Sequence, residues 1–350
     1  MRSKVIQIKD RRVGDDQPVF IIAEAGVNHN GNIEVAKKMI EVAKKSGADA
    51  IKFQTFKADD LVTRDAPKAK YQRLNTSKGN QYDMLKSLEL SENDFNKLNI
   101  YCKRKKIMFM STPFDPKSAE FINKLGVRLF KVSSGEITNL PLLKKIAKYG
   151  KPIILSTGMA TIKEIDEGLK TIYNAGNNKV ILLHCVSNYP ARYEDANLKA
   201  MNTLKGRYKI PIGLSDHTLG AEVAVAAVAM GACVIEKHFT LDKGMCGPDH
   251  KASLDAKELT QMVQSIRNCE KAMGTGIKRP VKSEAEVKAV ARKSIIAASD
   301  IPKGARITEE LLAIKRPGTG ILPKYIFSII GKKAKKDISR DHLLKWDQIS

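Results

Sequence analysis

Two histidines stand at the ends of two short apolar runs, where they could together bind a metal ion. His217 follows the run at 210–215, and His238 ends the run at 233–238. Two imidazoles with open coordination positions suit Mn2+, Co2+, Zn2+ or Fe2+ acting as a Lewis acid on a carbonyl, and two ligands do not choose between these ions. Asp216 beside the first histidine and Glu236 shortly before the second favour a metal site over two separate structural histidines.

Two lysines inside apolar runs indicate a pocket for an anion. Lys52 and Lys131 interrupt runs of strand length, where an unpaired charge would be costly to bury. They could neutralise a phosphate and a carboxylate, with further hydrogen bonds from hydroxyl groups at equivalent positions. Those hydroxyls belong to Thr112, Ser134, Ser156 and Ser215. The alternative is that the lysines pair with carboxylates inside the protein, the candidates being Glu24, Glu136 and Glu236.

Two carboxylates lie at the ends of the first and fourth runs: Glu24 ends the run at 20–24, and Glu136 follows the run at 129–134. They could bind sugar hydroxyls or move protons. Glycosidases also use two carboxylates, but the lysines and histidines would have no part in hydrolysing a glycosidic bond. The sequence contains neither a G-x-G-x-x-G nor a Walker A pattern, so we predict no dinucleotide or ATP site.

The elements that must position these side chains are eight short apolar runs, which alternate with helical segments. The runs are 20–24, 50–54, 107–112, 129–134, 152–157, 180–185, 210–215 and 233–238. Such strands pair in parallel through right-handed crossovers, and eight units in about 250 residues are enough to close a barrel. We predict a (β/α)8 barrel whose strand ends meet at one mouth, with a doubly wound open sheet as the alternative.

The rest of the chain predicts two additions to the barrel. Residues 5–13 alternate around a turn and indicate a hairpin that plugs the opposite end of the barrel. Charged residues and a proline mark a linker at 279–291, and short alternating runs follow it. We therefore expect a barrel domain with its hairpin at 1–278 and a small β-rich domain at 292–350.

The composition of the 350 residues limits the remaining functional classes. A net charge of +23 attracts polyanions, but the lysines are scattered and aromatic residues make up only 6%, which argues against a nucleic-acid surface. The many lysines at 324–345 argue against an ice-binding face on the small domain. We expect no membrane span, no signal peptide, reduced cysteines and a cytoplasmic location.

A series of motifs in these runs resembles the sialic acid synthase family. The motifs are IAEAGVNHNG (22–31), KFQT (52–55), STPF (111–114), SSGE (133–136), LSTGM (155–159), GLSDH (213–217) and EKHFTLDK (236–243). The likeness continues through GPDH (247–250) and KRPGTG (315–320), so it covers essentially the whole chain. It implies a (β/α)8 TIM barrel followed by an antifreeze-protein-like (SAF) domain.

The resemblance also implies a reaction and a role for each site residue. Phosphoenolpyruvate would be held by Lys52, Thr112, Lys131, Ser134, Ser156, Ser215 and either Asn188 or its neighbour Ser187. A divalent metal, usually Mn2+ with Co2+ or Mg2+ as the other candidates, would bind His217 and His238 and orient the sugar aldehyde for attack by carbon 3 of phosphoenolpyruvate. The sugar would contact Glu24, Glu136, Asn75, Tyr189 and Asp249.

Arg316 implies a partner subunit, because the equivalent arginine in the family reaches the barrel of the other subunit and contacts the N-acetyl group of the sugar. A domain-swapped homodimer is therefore expected. Our first interpretation is an N-acetylneuraminate synthase that uses N-acetylmannosamine. The alternative is an N,N'-diacetyllegionaminate synthase that uses 2,4-diacetamido-2,4,6-trideoxymannose, whereas the first strand is less like that of the pseudaminic acid synthases.

Overall fold

The structure, a computed structural model, describes residues 5–76 and 78–350. It divides between Gly274 and Thr275 into two compact units. None of the described helices is long and apolar enough to cross a membrane.

The first unit contains the predicted barrel. Its strands are β1 (Val5–Ile8), β2 (Arg11–Gly14), β3 (Phe20–Gly26), β4 (Ala50–Thr55), β5 (Met108–Pro113), β6 (Phe130–Val132), β7 (Ile153–Ser156), β8 (Val180–Cys185), β9 (Ile212–Asp216) and β10 (Val234–His238). Strands β3 to β10 form one parallel sheet in the order β5-β4-β3-β10-β9-β8-β7-β6. The end strands β5 and β6 lie side by side, so the sheet is a nearly closed barrel and the open-sheet alternative is wrong.

Helices follow the strands as the alternating pattern predicted. They are α1 (Ile33–Lys45), α2 (Ala58–Leu61), α3 (Lys70–Asn75), α4 (Gln81–Leu88), α5 (Glu92–Lys105), α6 (Pro116–Lys124), α7 (Leu140–Ala147), α8 (Ile162–Asn174), α9 (Ala200–Tyr208), α10 (Glu222–Ala229) and α11 (Ala256–Met273). Local sequence determines several starts: Ser91, Thr161 and Asp255 each accept a backbone N–H at the first turn of α5, α8 and α11, and each completes a capping box.

Alternation along the strands separates two cores and leaves the mouth polar. In β3, Ile21 faces the helices and packs in the large outer core, whereas Phe20 and Ile22 pack inside the barrel. Ile6 and Ile8 of the β1–β2 hairpin pack with Phe20 and Ile22, so the hairpin covers the amino end of the barrel. Apolar packing therefore fills the amino end, and the next inward position on β3 after Ile22 is a charged residue.

Parallel register then brings polar side chains together at the carboxyl end. Glu24 of β3 lies opposite Lys52 of β4 on one side and opposite His238 of β10 on the other. Glu236 lies opposite Ser215 of β9. Neighbouring strands therefore bring acidic, basic and hydroxyl side chains together at the carboxyl end of the barrel.

The second unit is small and has little regular structure. Its elements are α12 (Ala285–Ala291), β11 (Ser294–Ala297), β12 (Leu312–Lys315) and α13 (Ile326–Ile329). Strands β11 and β12 pair antiparallel, and isolated bridges such as the one between Ile301 and Ile338 extend the β structure. An aliphatic core that includes Ile295, Ile307 and Leu344 holds the loops. The expected linker at 279–291 contains the short helix α12.

Candidate active site

A cavity of about 500 Å³ opens at the carboxyl ends of the barrel strands. Twelve of the fifteen residues predicted for the site line it: Glu24, Lys52, Thr112, Lys131, Ser134, Glu136, Ser156, Tyr189, Ser215, His217, His238 and Asp249. Barrels of this type carry their reactive groups at this face, because strand ends and loops from all sides converge there.

Four buried charges form the floor of the cavity. Nζ of Lys52 lies 2.7 Å from Oε2 of Glu24 and 3.6 Å from Oε2 of Glu236. Nζ of Lys131 lies 3.6 Å from Oε1 of Glu236. Both lysines thus pair with carboxylates, as the alternative interpretation expected, and Glu236 bridges them. The pairing does not remove the lysines from the cavity, since all four side chains line it.

The carboxylates differ in proton affinity because they differ in their cationic neighbours. Burial raises the pKa of Glu24 to about 7, although Lys52 beside it acts in the opposite direction. Burial would also raise the pKa of Glu236, but Lys131 and Lys52 outweigh it and hold that pKa below its usual value. When Glu24 binds a proton near neutral pH, the four groups carry a net positive charge that favours an anion.

Hydroxyl groups surround the two lysines. Nζ of Lys52 donates to Oγ1 of Thr112 at 3.1 Å, and Nζ of Lys131 donates to Oγ of Ser156 at 2.7 Å. Oγ of Ser215 donates to Glu236 at 2.9 Å. The site therefore offers hydroxyls and ammonium groups at one level, which is the donor set that a phosphate or carboxylate requires.

Gly158 allows two further hydroxyls, those of Ser134 and Ser187, to approach the backbone at the cavity. Its N–H donates to Oγ of Ser134 at 3.0 Å. A Cβ atom at this position would lie 2.3 Å from Oγ of Ser187 and 2.8 Å from Oγ of Ser134, so any larger residue would displace them. The glycine of the LSTGM motif is thus required by packing at the pocket.

The two histidines lie together at the mouth, with ring centroids 5.4 Å apart. Nδ1 of His217 is 2.7 Å from the carbonyl oxygen of Val186, so we assign the proton to Nδ1, which leaves Nε2 as the acceptor. Nδ1 of His238 is buried without a hydrogen-bond partner among residues 5–76 and 78–350. Burial, with His217 and the lysines adding to it, keeps the pKa of His238 well below its usual value, so this ring is neutral and can donate a lone pair.

Tyr189 and Asp249 complete the mouth. The ring of Tyr189 packs on both imidazoles, with centroid distances of 4.1 Å to His217 and 5.4 Å to His238. Oδ2 of Asp249 lies 3.9 Å from Nδ1 of His238, and burial raises the pKa of this carboxyl to about 6. Within the described part of the chain, no cluster of three or more His, Cys, Asp or Glu side chains has metal-binding geometry.

An apolar wall faces part of the cavity and is formed by Leu61 of α2 with Met84, Leu85 and Leu88 of α4. Met84 and Leu88 belong to a small hydrophobic cluster that also contains Phe56, which fixes the wall in place. Sequence reasoning missed this wall, because α2 and α4 lie in the long loop after β4 and only the fold brings them to the mouth.

A buried ion pair joins the ends of β9 and β10. Nζ of Lys237 lies 2.7 Å from Oδ2 of Asp216, and both side chains are 1% exposed. Lys237 also donates to the carbonyl oxygen of Thr218, whose N–H and Oγ1 both donate to Oδ1 of Asp216. The residues that neighbour this pair in sequence are His217 and His238, so the pair fixes the strand ends that carry them.

Glu236 and Cys185 line the cavity and contact predicted site residues, but neither was assigned a role in the site. Glu236 stands two positions before His238 on β10, and this spacing places both on the same face of the strand, which is a signal that sequence reasoning could have used. Cys185 ends β8 with its Sγ 3.8 Å from Nδ1 of His217. A single cysteine at the end of an apolar run carries no such signal.

Three predicted residues are placed elsewhere. Asn188 is exposed, and its neighbour Ser187 lines the cavity. Asn75 donates from Nδ2 to the carbonyl oxygen of Pro248 at 3.2 Å and is not among the cavity-lining residues. Arg316 belongs to the second unit, directly after β12. The roles of all fifteen residues stay predictions.

Comparison with known proteins gives consistent matches along the chain. A model of the NeuB family matches residues 39–278, and a model of the SAF domain matches residues 292–350. An N,N'-diacetyllegionaminic acid synthase of Legionella pneumophila is 48% identical over 351 residues, which cover 99% of this chain and 98% of that protein. An N,N'-diacetyllegionaminic acid synthase of Campylobacter jejuni is 50% identical over 329 residues, covering 93% of this chain and 98% of that protein.

A solved structure is similar over most of the chain. The N-acetylneuraminic acid (sialic acid) synthetase from Leptospira borgpetersenii, in complex with citrate, superposes with a TM-score of 0.72 at 37% identity. The match covers 81% of this chain and 95% of that chain.

Proposed function

Since the chain belongs to the NeuB family, we propose that it is a nonulosonate synthase that condenses phosphoenolpyruvate with an N-acetylated mannosamine-type sugar. The observation that carries this proposal is the group of Lys52 and Lys131 with their hydroxyl partners beside two histidines at one barrel mouth. Hydrolases and nucleotide-binding proteins do not need this combination of an anion pocket and a carbonyl-activating site.

The proposed substrate sugar is 2,4-diacetamido-2,4,6-trideoxymannose, which would make the chain an N,N'-diacetyllegionaminic acid synthase. Two observations support it over N-acetylmannosamine, our first interpretation. Relatives that carry the legionaminic acid name are 48–50% identical, whereas the solved N-acetylneuraminic acid synthetase is 37% identical. The apolar wall also suits this sugar, because its carbon 6 is a methyl group instead of a hydroxymethyl group and its acetamido group at carbon 4 carries a second methyl group.

In the proposed reaction, carbon 3 of phosphoenolpyruvate attacks the aldehyde carbon of the open-chain sugar. Water then adds to carbon 2, and the tetrahedral intermediate expels phosphate by cleavage of its C–O bond. Lys52, Lys131 and the surrounding hydroxyls hold the phosphate and carboxylate groups. Glu24, with a pKa of about 7, can exchange a proton near neutral pH, while Glu136 and Asp249 bind the sugar.

We propose that His217 and His238 hold a divalent metal, with Mn2+ as the first candidate and Co2+ or Mg2+ as the others. The residues fit such an ion, because Nδ1 of His238 is buried without a partner in the described part of the chain and the second imidazole lies 5.4 Å away between ring centroids. When bound, the metal supplies a Lewis acid that polarises the aldehyde of the sugar. Tyr189 packs on both rings and restricts their orientations.

We also propose the homodimer that the family resemblance implies, in which Arg316 of one subunit contacts the N-acetyl group of the sugar in the other. Substituting Arg316→Ala should weaken the use of the sugar far more than the binding of phosphoenolpyruvate. A monomeric mass in solution together with full activity would contradict the dimer. The cytoplasmic location predicted from the sequence stays a prediction.

The experiment that tests the function is a phosphate-release assay with phosphoenolpyruvate and Mn2+. It compares the trideoxy sugar with N-acetylmannosamine, includes EDTA as a control, and identifies the product by mass spectrometry. We expect metal-dependent release with the trideoxy sugar preferred. A preference for N-acetylmannosamine would identify an N-acetylneuraminate synthase, and no release with either sugar from folded, metal-loaded protein would refute the proposed reaction.

A further inference from the structure

The loop that carries Asp249 has little regular structure, although the carboxylate at its centre lines the cavity. This Asp249 loop spans residues 241–253 and contains one short 3-10 turn at His250–Ala252. A loop of this kind needs hydrogen bonds from outside itself to hold a side chain in one position. The structure shows where those bonds come from.

The outer side of the loop is held by Asn30, which follows β3. Nδ2 of Asn30 donates to the carbonyl oxygen of Cys246 at 2.9 Å. Oδ1 of the same amide lies 3.1 Å from Nε2 of His250. One side-chain amide therefore bonds the loop on both sides of Asp249.

His250 is itself fixed, because its side chain is 0% exposed and bonds at both ring nitrogens. Its Nδ1 lies 2.7 Å from Oγ1 of Thr240, the residue that follows the strand end of β10 by two positions. We assign the proton to Nε2, which donates to Asn30, so that Nδ1 accepts from the Thr240 hydroxyl. The loop is thereby tied to the strand that presents His238.

Two backbone features fit this arrangement. Asn30 has φ +51°, a left-handed conformation that asparagine and glycine adopt more easily than other residues. A Cβ atom at Gly247 would lie 2.6 Å from Cδ2 of His250 and 2.9 Å from Oδ1 of Asn30, so only glycine lets the loop approach this closely. Asn30 thus serves both as a turn residue and as the bonding group.

A second set of bonds holds the inner side. Nδ2 of the buried Asn28 donates to Oγ of Ser253 at 2.9 Å, and that hydroxyl donates to the carbonyl oxygen of Asp249 at 2.7 Å. Asn75 holds Pro248 from the loop after β4. The loop is therefore anchored on its inner side independently, so loss of the outer bonds should displace Asp249 without unfolding the barrel.

We propose that Asn30 and His250 form a clamp that positions Asp249 for the sugar substrate. Neither is a catalytic residue, since neither lines the cavity in the described structure. The inference rests on the proposed function, in which Asp249 binds the sugar while the lysine pocket binds phosphoenolpyruvate. Loosening the clamp should then raise the KM for the sugar and leave the KM for phosphoenolpyruvate nearly unchanged.

The test compares Asn30→Gly and His250→Leu with two matched controls. Asn30→Gly keeps the left-handed backbone and removes both hydrogen bonds. The control Lys209→Gly also introduces glycine at a left-handed residue, but at an exposed position with φ +52°. His250→Leu removes the donor at similar volume, whereas His250→Gln keeps a donor towards Asn30. Steady-state kinetics of the metal-loaded enzyme give the KM for each substrate, and hydrogen exchange reports on the backbone amides of 241–253.

We expect Asn30→Gly and His250→Leu to raise the KM for the sugar about ten-fold, which corresponds to the loss of one or two ordinary hydrogen bonds. The KM for phosphoenolpyruvate should change less than about two-fold, exchange in the loop should accelerate, and both controls should behave like the wild type. An equal rise in both KM values, an unchanged sugar KM, or unchanged exchange would overturn the clamp. If the wild type turns over neither sugar, the proposed function fails and the exchange comparison alone decides the clamp.

Discussion

Replacing Lys237 by methionine should lower the free energy of unfolding by about 3–5 kcal/mol, because it leaves the carboxylate of Asp216 buried without its cation. Nζ of Lys237 and Oδ2 of Asp216 are 2.7 Å apart, and both side chains are 1% exposed. At an effective dielectric constant of about 20, unit charges at that distance attract by about 6 kcal/mol. The remaining hydrogen bonds from Thr218 to Asp216 keep the expected cost below that value.

A matched control isolates the effect of burial from the effect of distance. The pair of Lys37 and Glu34 on α1 has the same separation of 2.7 Å, but its side chains are 29% and 68% exposed. Lys37→Met should therefore cost less than about 1 kcal/mol. Adding Asp216→Asn to Lys237→Met should recover part of the loss, since it removes the buried charge and keeps an acceptor for Thr218.

The assay is urea unfolding followed by two signals that report on different units. Far-UV circular dichroism follows mainly the helices of the barrel unit, whereas the fluorescence of Trp346, the one tryptophan in the sequence, reports on the second unit. We expect the dichroism transition of Lys237→Met to shift to lower urea. Equal losses for Lys237→Met and Lys37→Met would refute the reasoning, because burial would then have no measurable effect on the cost of breaking the pair.

Three further outcomes are expected. Lys131→Met should raise the KM for phosphoenolpyruvate about ten- to a hundred-fold in the phosphate-release assay, because it removes a charge-assisted hydrogen bond. The control Lys145→Met on α7 should leave this KM unchanged. Equal effects of the two substitutions would contradict the anion pocket. Gly213→Ala should destabilise the barrel by about 1–3 kcal/mol or more, because its Cβ would lie 2.4 Å from the carbonyl oxygen of Val234; an unchanged melting temperature would contradict this. Glu24 has a pKa of about 7 in the folded protein against its ordinary 4.5, so the stability it contributes is present below pH 4.5 and is lost as the pH rises through 7. Glu24→Gln should flatten this pH dependence, which amounts to about 3 kcal/mol of unfolding free energy. Identical pH profiles for the variant and the wild type would contradict the shift.

The sequence by itself determined the barrel and predicted twelve of the residues that line its cavity. Eight apolar runs alternate with amphipathic segments, and this pattern admits few topologies because parallel strands require crossovers. The end of each run is also readable from sequence, so residues such as Lys52, Lys131, His217 and His238 could be assigned to one mouth before any contact was known. Hydrophobic periodicity acts over a few residues at a time, so it can be read without knowing which side chains meet in the folded protein.

Only the tertiary structure decided which partners these residues have. Glu236 proved to bridge both lysines, and the pKa of Glu24 rises because burial outweighs its one close cation. The apolar wall and the bonds of Asn30 to the Asp249 loop join segments that are far apart in sequence, here positions 30 and 246. Distance, burial and charge balance at a site are sums over neighbours from several strands and loops, so they exist only once the chain has folded.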